Sequence, residues 1–219
     1  MSGTAFFDLD LTITRQGTWS RYVSLAVGSK SALWLAMPKI GLQALAYKAG
    51  FASRDSVKTR TIALLLAGRQ RQELEALAQT FAEEEVKNGL RQKAHAIIDK
   101  HTAEGDRLIM ATAAADLIAE PIAKALGFNG VISTRLKWSE DDKLLPELDG
   151  KNCYGEEKLR RIEAYCRTND CPRPFTAYSD HVSDMPMLNW ADHGVAVNPS
   201  RPLLKASPSN GLDVVNWNT

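Results

Sequence analysis

The chain is 219 residues long, which allows one large domain or one domain that carries an insertion. Its composition is that of an ordinary globular protein, because hydrophobic residues make up 44% of it and supply a sizeable core. A net charge of +1 gives no indication of an acidic partner, and we predict that the protein does not bind nucleic acid.

The first predicted element is the short apolar run at residues 4–7, which is followed directly by Asp8 and Asp10. An apolar run that ends abruptly in acid is typical of a buried strand whose carboxyl end opens into a site. In an extended chain both carboxylates point to one side, where they repel each other unless a cation or a shared proton separates them. The pair therefore predicts a Mg²⁺ site in which one carboxylate also attacks an electrophile. The alternative is two solvated acids that open a turn or cap a helix.

Residues 15–86 are predicted to be wholly helical, with Ser53 as the N-cap of a helix that runs through Leu66. The segment from Tyr22 to Tyr47 is rich in apolar residues, but Lys30 and Lys39 interrupt it, Lys48 follows it and Pro38 breaks its middle. No uncharged stretch in it reaches the roughly 18 to 20 residues that a bilayer span requires. We predict two short apolar helices, which pack against each other, cover a substrate pocket or lie on a membrane surface.

After Gly89 the pattern changes to an alternation of strands and helices, with one hairpin at residues 136–153. The predicted strands are residues 107–111, 130–133, 174–178, 194–197 and 213–215. The predicted helices are residues 90–103, 115–126, 155–166 and 183–190. Such an alternation predicts an α/β fold, a three-layer Rossmann-like parallel sheet with helices on both faces. We therefore predict a catalytic core of residues 1–14 and 87–219, into which residues 15–86 are inserted as an all-helical cap.

Polar side chains follow further predicted strands, at the edge of the sheet where ligands bind in such folds. Thr112 follows the second strand and precedes a helix start, where a hydroxyl and free backbone N–H groups suit a phosphate oxygen. Lys158 lies in the first turn of a helix, and Asp180 and Asp184 follow the next strand. Singly, Thr112 is explained as a helix cap, Lys158 as a solvated cation and Asp184 as another cap. Groups that suit a metal ion or a phosphate nevertheless follow four consecutive segments of the chain at the carboxyl ends of the strands. Together they predict a single site.

With these motifs the sequence resembles the haloacid dehalogenase superfamily, in its phosphoserine-phosphatase-like branch (subfamily IB) with a helical cap after the first strand. The motifs that carry the resemblance are, in chain order, Asp8-x-Asp10-x-Thr12, the strand that ends in Thr112, Lys158 early in a helix, and the pair Asp180 and Asp184. Their order and spacing span about two-thirds of the chain. Two positions depart from the usual pattern, because Leu11 and Ser179 stand where other small or polar residues, often glycine, are frequent.

The resemblance implies a Mg²⁺-dependent phosphomonoester hydrolase that works through an aspartyl-phosphate. Asp8 would be the nucleophile, and Asp10 would protonate the leaving oxygen and then deprotonate the attacking water. The implied substrate-binding residues are Thr12, Thr112, Ala113 and Lys158. The implied metal-binding residues are Asp8, Asp10, Asp180 and Asp184.

The substrate is predicted less specifically than the reaction. Phosphoserine phosphatases have a glutamate about nine residues beyond the nucleophile, and Gly17 stands there, so we expect a small phosphorylated metabolite other than phosphoserine. A cap arginine binds the substrate carboxylate in those enzymes, and Arg60 is the nearest candidate, with Arg54 and Arg21 as alternatives. The apolar cap segment also looks like that of bacterial phosphatidylglycerophosphatases. The second hypothesis is therefore a membrane-proximal lipid phosphate phosphatase with peripheral membrane contact through the cap.

Two further hypotheses stay open, a phosphotransferase or mutase on the same scaffold and a non-catalytic binding protein. The retained site residues argue against the binding protein, since clustered carboxylates without a use cost stability. The oligomeric state is not predicted. Three cysteines, at positions 153, 166 and 171, have no paired metal-binding spacing and are expected to be thiols in a reducing compartment. No basic region followed by an apolar signal region is found near the N-terminus. Together with the unpaired cysteines, this predicts a cytoplasmic protein.

Overall fold

The computed structural model describes residues 2–51 and 53–218, without the side chains of residues 47, 48 and 54. Eight strands are present in the described chain: β1 (Thr4–Phe7), β2 (Arg107–Ala115), β3 (Gly130–Thr134), β4 (Leu136–Trp138), β5 (Leu144–Leu148), β6 (Phe175–Ser179), β7 (His193–Val197) and β8 (Asp213–Val215). Six of them form one sheet in the order β3-β2-β1-β6-β7-β8, and every neighbouring pair is parallel. Strands β4 and β5 form the predicted antiparallel hairpin.

Strand β1 lies at the centre of the sheet, between β2 and β6, and its register decides where the site forms. Phe7 is paired with Met110 on one side and with Tyr178 on the other, and its ring stacks on that of Tyr178 with centroids 4.6 Å apart. Three chain segments therefore leave the sheet at one level. The next residue, Asp8, donates its backbone N–H to the carbonyl of Tyr178 at 3.0 Å, so its side chain starts at the edge of the sheet.

Side chains of β1 alternate between two apolar clusters, one on each face of the sheet. Ala5 and Phe7 belong to the larger cluster, and Phe6 belongs to the smaller one with Ile109 and Ala177. The α-helices of the described residues are α1 (Thr18–Val27), α2 (Lys30–Lys48), α3 (Arg54–Leu65), α4 (Arg71–Asn88), α5 (Ala94–Ala103), α6 (Asp116–Ala125), α7 (Glu156–Thr168), α8 (Met185–Trp190) and α9 (Arg201–Ala206). The predicted α/β fold with a parallel sheet between helices is confirmed.

Four helices, α1 to α4, lie between β1 and β2, in the segment predicted to be the cap. Ser53 caps α3 as predicted, and its hydroxyl accepts the N–H of Ser56 at 3.1 Å. The end of α3 is joined to the hairpin, because Gly68 donates its N–H to the carbonyl of Leu144. Helix α4 packs along α6 of the core. The segment is thus held at its hairpin end and along α4.

Pro38 does not break the apolar segment into two helices as predicted, because it lies inside the continuous helix α2. A proline removes one helical hydrogen bond and leaves the carbonyl four residues earlier without its donor. Here that carbonyl belongs to Trp34, and both Trp34 and Pro38 are exposed, so water can solvate it. The two helices that the segment does contain are α1 and α2, which separate at Gly28, in the left-handed region at φ 63°.

Two other boundaries differ from the prediction by several residues, and one helix was not predicted. Helix α5 begins at Ala94 rather than residue 90, because Leu90 pairs with Thr14 and Arg91 donates its N–H to the carbonyl of Ile13. Strand β2 continues to Ala115 rather than residue 111, so Thr112 is not a helix cap. Helix α9 was not anticipated from the sequence.

One side of α2 is covered by α1 and α3, and the other side is exposed. We call the exposed large apolar residues of this region the α2 face, and they are Trp34, Leu35, Met37, Leu42, Leu45 and Phe51. Across the described residues, no helix combines the length and the hydropathy that a bilayer crossing needs.

Candidate active site

A cavity of about 100 Å³ opens at the carboxyl ends of β1, β2 and β6, as predicted for a ligand site in a parallel sheet. Its walls contain most of the site residues named from the sequence, together with four residues that were not. The lining residues are Asp8, Asp10, Leu11, Thr112, Ala113, Tyr154, Lys158, Asp180, His181, Ser183 and Asp184. Two predicted site residues, Thr12 and Arg60, do not line it.

The loop after β1 turns sharply to present both of its carboxylates. Leu11 adopts a left-handed conformation at φ 63°, which is unusual for a residue other than glycine and shows that the surroundings fix the turn. The guanidinium of Arg91 donates two hydrogen bonds to the carbonyl of Leu11, at 2.9 and 2.6 Å. The Asp10 carboxylate accepts the backbone N–H of Thr18 at 2.7 Å, at the start of α1. The loop is therefore held from two directions.

Lys158 is the cation of the site, and it is only 1% exposed. Its ammonium group donates to Asp8 Oδ1 at 2.9 Å and to Asp184 Oδ2 at 2.7 Å. Burial by itself would lower the pKa of Lys158, but the carboxylates of Asp184 and Asp8 outweigh burial and raise that pKa, so the side chain stays charged. Gly155, with φ 60° and ψ −131°, permits the sharp turn that starts α7 beneath the cavity.

The carboxylates of the site outnumber its cation. Burial, together with the charges of Asp184 and Asp180, raises the pKa of Asp8 to about 7 even though Lys158 opposes this shift. Burial and the charge of Asp184 raise the pKa of Asp180 to about 6. Four acids and one lysine line the cavity, so the ionised site carries a surplus of negative charge.

This surplus fits a divalent cation. Mg²⁺ prefers oxygen ligands, and the cavity supplies carboxylate oxygens from Asp8, Asp180 and Asp184. The Oδ1 atom of Asp184 is buried and has no hydrogen-bond partner within residues 2–51 and 53–218, although such atoms are normally satisfied. A metal ligand would account for that atom, so the residues present are suited to Mg²⁺.

Thr12, a predicted substrate contact, is instead fully buried behind the carboxylates. Its hydroxyl oxygen lies 3.3 Å from Asp8 Oδ2 and 3.4 Å from Asp180 Oδ1, and it accepts the backbone N–H of Asp180 at 3.0 Å. The side chain therefore links the loop after β1 to the loop after β6. Its position suits orientation of the two carboxylates rather than contact with a substrate.

Thr112 and Ala113 both line the cavity, at an irregular part of β2. The pairing of β2 with β3 shifts register between Ala111 and Ala115, so the intervening backbone leaves the regular ladder. The hydroxyl of Thr112 accepts the N–H of Ala114 at 3.1 Å. Thr112 therefore lies at a strand bulge and not at the predicted helix start, and its contact with a phosphate oxygen stays a prediction.

Ser179 is a site residue that the sequence did not reveal, since it had been noted only as a departure from glycine. It is fully buried at the end of β6, and its hydroxyl donates to Asp184 Oδ2 at 2.7 Å. It also accepts the backbone N–H of His181 at 3.2 Å. Ser179 therefore orients the carboxylate that also binds Lys158.

A second cavity, of about 200 Å³, adjoins the first and shares Asp10 and Ala113 with it. Lys58 of α3 lines this cavity, and its ammonium group donates to the carbonyl of Ala113 at 2.6 Å and to Asn152 Oδ1 at 3.0 Å. The same ammonium lies 5.9 Å from the centroid of the Trp19 ring. A cation and an aromatic ring from the helical segment thus lie next to Asp10.

Two of the three arginines named for substrate contact, Arg60 and Arg21, are described, and neither lies in a wall of the two cavities. Arg60 is exposed, because two residues along a helix turn the side chain by about 200°, away from the side that carries Lys58. Arg21 forms an ion pair with the buried Glu85, and its guanidinium lies 5.4 Å from the centroid of the Phe81 ring. The side chain of Arg54 lies outside the described part of the chain.

Another group of metal-ligating side chains, His101, Glu104 and Asp106, lies at the amino end of β2, away from this cavity. Their ligand atoms are within 4.8 Å of one another. Both nitrogens of the His101 ring are already engaged, with Asp106 Oδ2 at 2.6 Å and with the Tyr178 hydroxyl at 2.8 Å. These contacts join α5 to the sheet and explain the group as structural.

Comparison with known proteins identifies the family to which the chain belongs. Residues 5–189 match the family model described as haloacid dehalogenase-like hydrolase. The chain is similar to protein CicA of Caulobacter vibrioides, with 30% identity over 186 residues that cover 85% of this chain and 82% of CicA.

Solved structures show the same architecture. A Bordetella pertussis protein of unknown function has a TM-score of 0.87 at 22% identity, with 99% of each chain covered. A probable phosphoserine phosphatase from Vibrio cholerae has a TM-score of 0.70 at 15% identity, over 98% of this chain and 61% of that one. At these identities the two likenesses establish the fold.

Proposed function

Because the chain belongs to the haloacid dehalogenase-like hydrolase family, we propose that it is a Mg²⁺-dependent phosphatase that hydrolyses a small phosphorylated metabolite through an aspartyl-phosphate on Asp8. The family predicted from the four motifs is confirmed, and the fold is that of a phosphoserine phosphatase. The observation that carries the proposal is the buried Lys158, held between Asp8 and Asp184 in a cavity that also contains Asp10 and Asp180.

Asp8 is the proposed nucleophile. A carboxylate that approaches a phosphoryl group is repelled by the charge of its oxygens, and this repulsion must be offset for the attack to proceed. Lys158, next to Asp8 Oδ1, supplies one positive charge at that point. Mg²⁺ bound by the carboxylates of Asp8, Asp180 and Asp184 and by the backbone carbonyl of Asp10 would supply the remaining charge and stabilise the phosphoryl oxygens. Thr112 and Ala113 would contact those oxygens from the bulge of β2.

Asp10 is the proposed general acid and base. Burial raises its pKa, against the opposing effect of its hydrogen bond from Thr18, so it retains a proton more readily than an exposed aspartate does. That proton would pass to the leaving oxygen when Asp8 displaces it. The resulting carboxylate would then accept a proton from the water that hydrolyses the aspartyl-phosphate. One positioned group therefore serves both displacements.

The second cavity supports a small substrate with a hydrogen-bond acceptor beyond its phosphate. It adjoins Asp10, where the leaving group would lie, and it is bounded by Lys58 and Trp19. Lys58 would bind the acceptor, and the Trp19 ring would contact the rest of the leaving group. We further propose that residues 15–86 form a cap over a core of residues 1–14 and 87–219, since α3 brings Lys58 to the site. The three cysteines are thiols, in keeping with a proposed cytoplasmic location.

A panel of phosphomonoesters, assayed with and without Mg²⁺, tests this function. It should include phosphoserine, histidinol phosphate and sugar phosphates, with Asp8→Asn as the inactive control. We expect Mg²⁺-dependent release of phosphate from at least one compound by the wild type and none by the variant. Hydrolysis that persists unchanged in Asp8→Asn, or that is insensitive to removal of divalent cations, would contradict the proposal.

A second candidate function is hydrolysis of a lipid phosphate monoester, which the exposed α2 face favours. Adding phosphatidylglycerophosphate in vesicles to the same panel separates the two candidates. A turnover rate that exceeds those of all soluble compounds would support the lipid substrate, and no turnover of the vesicle lipid would exclude it.

A further inference from the structure

The α2 face is the largest apolar feature on the described surface that the proposed reaction does not use. Its exposed fractions are 77% for Trp34, 79% for Leu35, 70% for Leu42 and 64% for Leu45. Phe51, just beyond the helix, is 89% exposed. Scattered apolar residues are normal on a protein surface, but a contiguous group of large ones marks an interaction site.

Helix geometry makes the face continuous. Trp34, Pro38, Leu42 and Leu45 follow one another at spacings of three or four residues, so they form one stripe along α2. The opposite side is already packed, since Ala36 is buried and the Gln43 side chain donates to the hydroxyl of Ser56 on α3. Packing inside the protein therefore accounts for one apolar side of α2, whereas the described residues provide no contact that explains the other side.

The charge of this region is one-sided as well. Residues 11–54 contain no aspartate or glutamate, although they include six lysines and arginines. Two of these cations, Lys30 and Lys39, are exposed on α2 itself. The whole chain has a net charge of only +1, so the positive charge is concentrated where the apolar surface is exposed.

We propose that the α2 face docks on the surface of an anionic lipid bilayer, with α2 lying in the plane of the interface. Apolar side chains would enter the boundary between headgroups and acyl chains, where tryptophan is favoured. Lys30 and Lys39 would extend to the lipid phosphates, which supply the negative charge that this part of the chain lacks. The inference does not depend on the proposed function, because docking places no demand on the substrate.

A second copy of the chain is a less suitable occupant. Two α2 faces packed against each other would bring Lys30 and Lys39 of one copy close to the same lysines of the other. Since the segment around α2 has no carboxylate, those like charges would lack partners. An anionic bilayer offers both an apolar layer and counter-charges, so it matches the face better.

Vesicle sedimentation of the full chain tests the inference. The probes are vesicles of phosphatidylcholine alone and vesicles that also contain phosphatidylglycerol. We expect the wild type to bind the anionic vesicles, at least about tenfold more weakly after Trp34→Gln with Leu42→Gln, and more weakly in high salt. Lys30→Gln with Lys39→Gln should also reduce binding, by several-fold.

Matched controls are available elsewhere on the surface. Leu204 on α9 is 50% exposed and Lys205 is an exposed lysine beside it, so Leu204→Gln and Lys205→Gln should leave vesicle binding unchanged. All of these substitutions are on the surface, and hydrolysis of a soluble phosphomonoester should continue at the wild-type rate. That assay shows that the variants are folded, and the inactive Asp8→Asn protein should bind vesicles like the wild type.

Three results would overturn the inference. The first is wild-type protein that stays in the supernatant with both kinds of vesicle. The second is equal binding to neutral and anionic vesicles, which would exclude the role of the lysines. The third is a dimer, seen by light scattering, that Trp34→Gln with Leu42→Gln dissociates while vesicle binding is absent. In that case the α2 face would be a contact between copies.

Discussion

Lys158 and Asp8 determine each other's ionisation, and the electrostatics of the site follow from that pair. A lysine removed from water needs a carboxylate partner, and Asp8 and Asp184 both meet that need. The same burial places Asp8 among other acids and raises its pKa to about 7. The site therefore holds its nucleophile ionised only while positive charge is present.

Replacing the lysine tests this dependence. We expect Lys158→Met to lower kcat by a factor of about 1,000 or more, because the attack on phosphorus loses its fixed positive charge. The free energy of unfolding should fall by about 3 kcal/mol at pH 7.5, since the carboxylates stay buried without their cation. At pH 5, where Asp8 is protonated, part of that loss should be recovered, although Asp184 still lacks its cation. Urea unfolding at both pH values measures it, and an equal loss at both would contradict this explanation.

The raised pKa of Asp8 makes a prediction about the metal-free protein. The pKa of Asp8 is about 7 in the folded state and 3.8 in the unfolded state, so the folded state binds the Asp8 proton more tightly. Protonation of Asp8 therefore stabilises the fold, fully below pH 3.8, and this stabilisation is lost as the pH rises through about 7. Asparagine stays neutral throughout. Metal-free Asp8→Asn should therefore exceed the wild type in unfolding free energy by on the order of 2 kcal/mol at pH 7.5 and by little at pH 4.

Thermal unfolding across this pH range, in the presence of a chelator, measures the difference between the two proteins. Mg²⁺ should reduce it at pH 7.5, because the metal binds the ionised wild-type site and stabilises the folded state. If the difference in unfolding free energy between the two proteins is constant from pH 4 to pH 7.5, ionisation of Asp8 does not destabilise the metal-free fold.

Ser179 acts on the metal site through Asp184, to which its hydroxyl donates. We expect Ser179→Ala to raise the Mg²⁺ concentration for half-maximal activity by roughly tenfold, because residues behind a metal ligand fix its orientation. The maximal rate at saturating Mg²⁺ should change less. Ser183→Ala is the matched control, since the Ser183 hydroxyl contacts His181 and not a carboxylate. Equal Mg²⁺ dependence in the two variants would remove Ser179 from this role.

At the scale of the elements, the orientation of helix α3 decides which of its side chains lines the second cavity. Lys58 and Arg60 are two residues apart, so one points to the second cavity and the other is exposed. The sequence indicated a cationic residue on this helix and named Arg60, whereas the residue that lines the cavity is Lys58. Helical periodicity tells which residues share a side, but it does not tell which side faces the core.

The two residues form a matched pair for kinetics. We expect Lys58→Met to raise KM for the preferred substrate by about tenfold or more, with a smaller change in kcat, because a binding contact is lost. Arg60→Met removes the same charge from the same helix and should leave both constants near the wild-type values. Similar effects of the two substitutions would indicate a general electrostatic influence of the cap and not a contact from Lys58.

The site residues that follow the strands were easier to predict than the structure of the inserted helices. Asp8, Thr112 and Asp180 each follow a short apolar run, and parallel strands bring their carboxyl ends to one edge, so adjacency follows from the pattern. The bulge in β2 and the role of Ser179 were not predicted, because both depend on contacts between distant segments. Pro38 was misread for the same reason, since its tolerance depends on exposure that the sequence does not specify.

At the scale of the whole molecule, chemistry and location occupy different parts of the chain. The core holds Asp8, Lys158 and Asp180 at the edge of the sheet, and the inserted helices supply Lys58 and the α2 face. Helices α1 to α4 can vary in sequence without disturbing the parallel ladder, because they enter after β1 and return before β2. In the proposed function, the sheet therefore carries the reaction and the inserted helices select the substrate.

The most direct test of the account is detection of a phosphoryl group on Asp8 during turnover. The protein is mixed with a hydrolysed phosphomonoester and Mg²⁺, stopped in acid within the first turnovers, digested and measured by mass spectrometry. We expect the peptide that contains Asp8 to gain the mass of one phosphoryl group, and the gain to disappear in Asp8→Asn or without Mg²⁺. Steady hydrolysis with no adduct on this peptide, or with the adduct on another residue, would contradict the central claim.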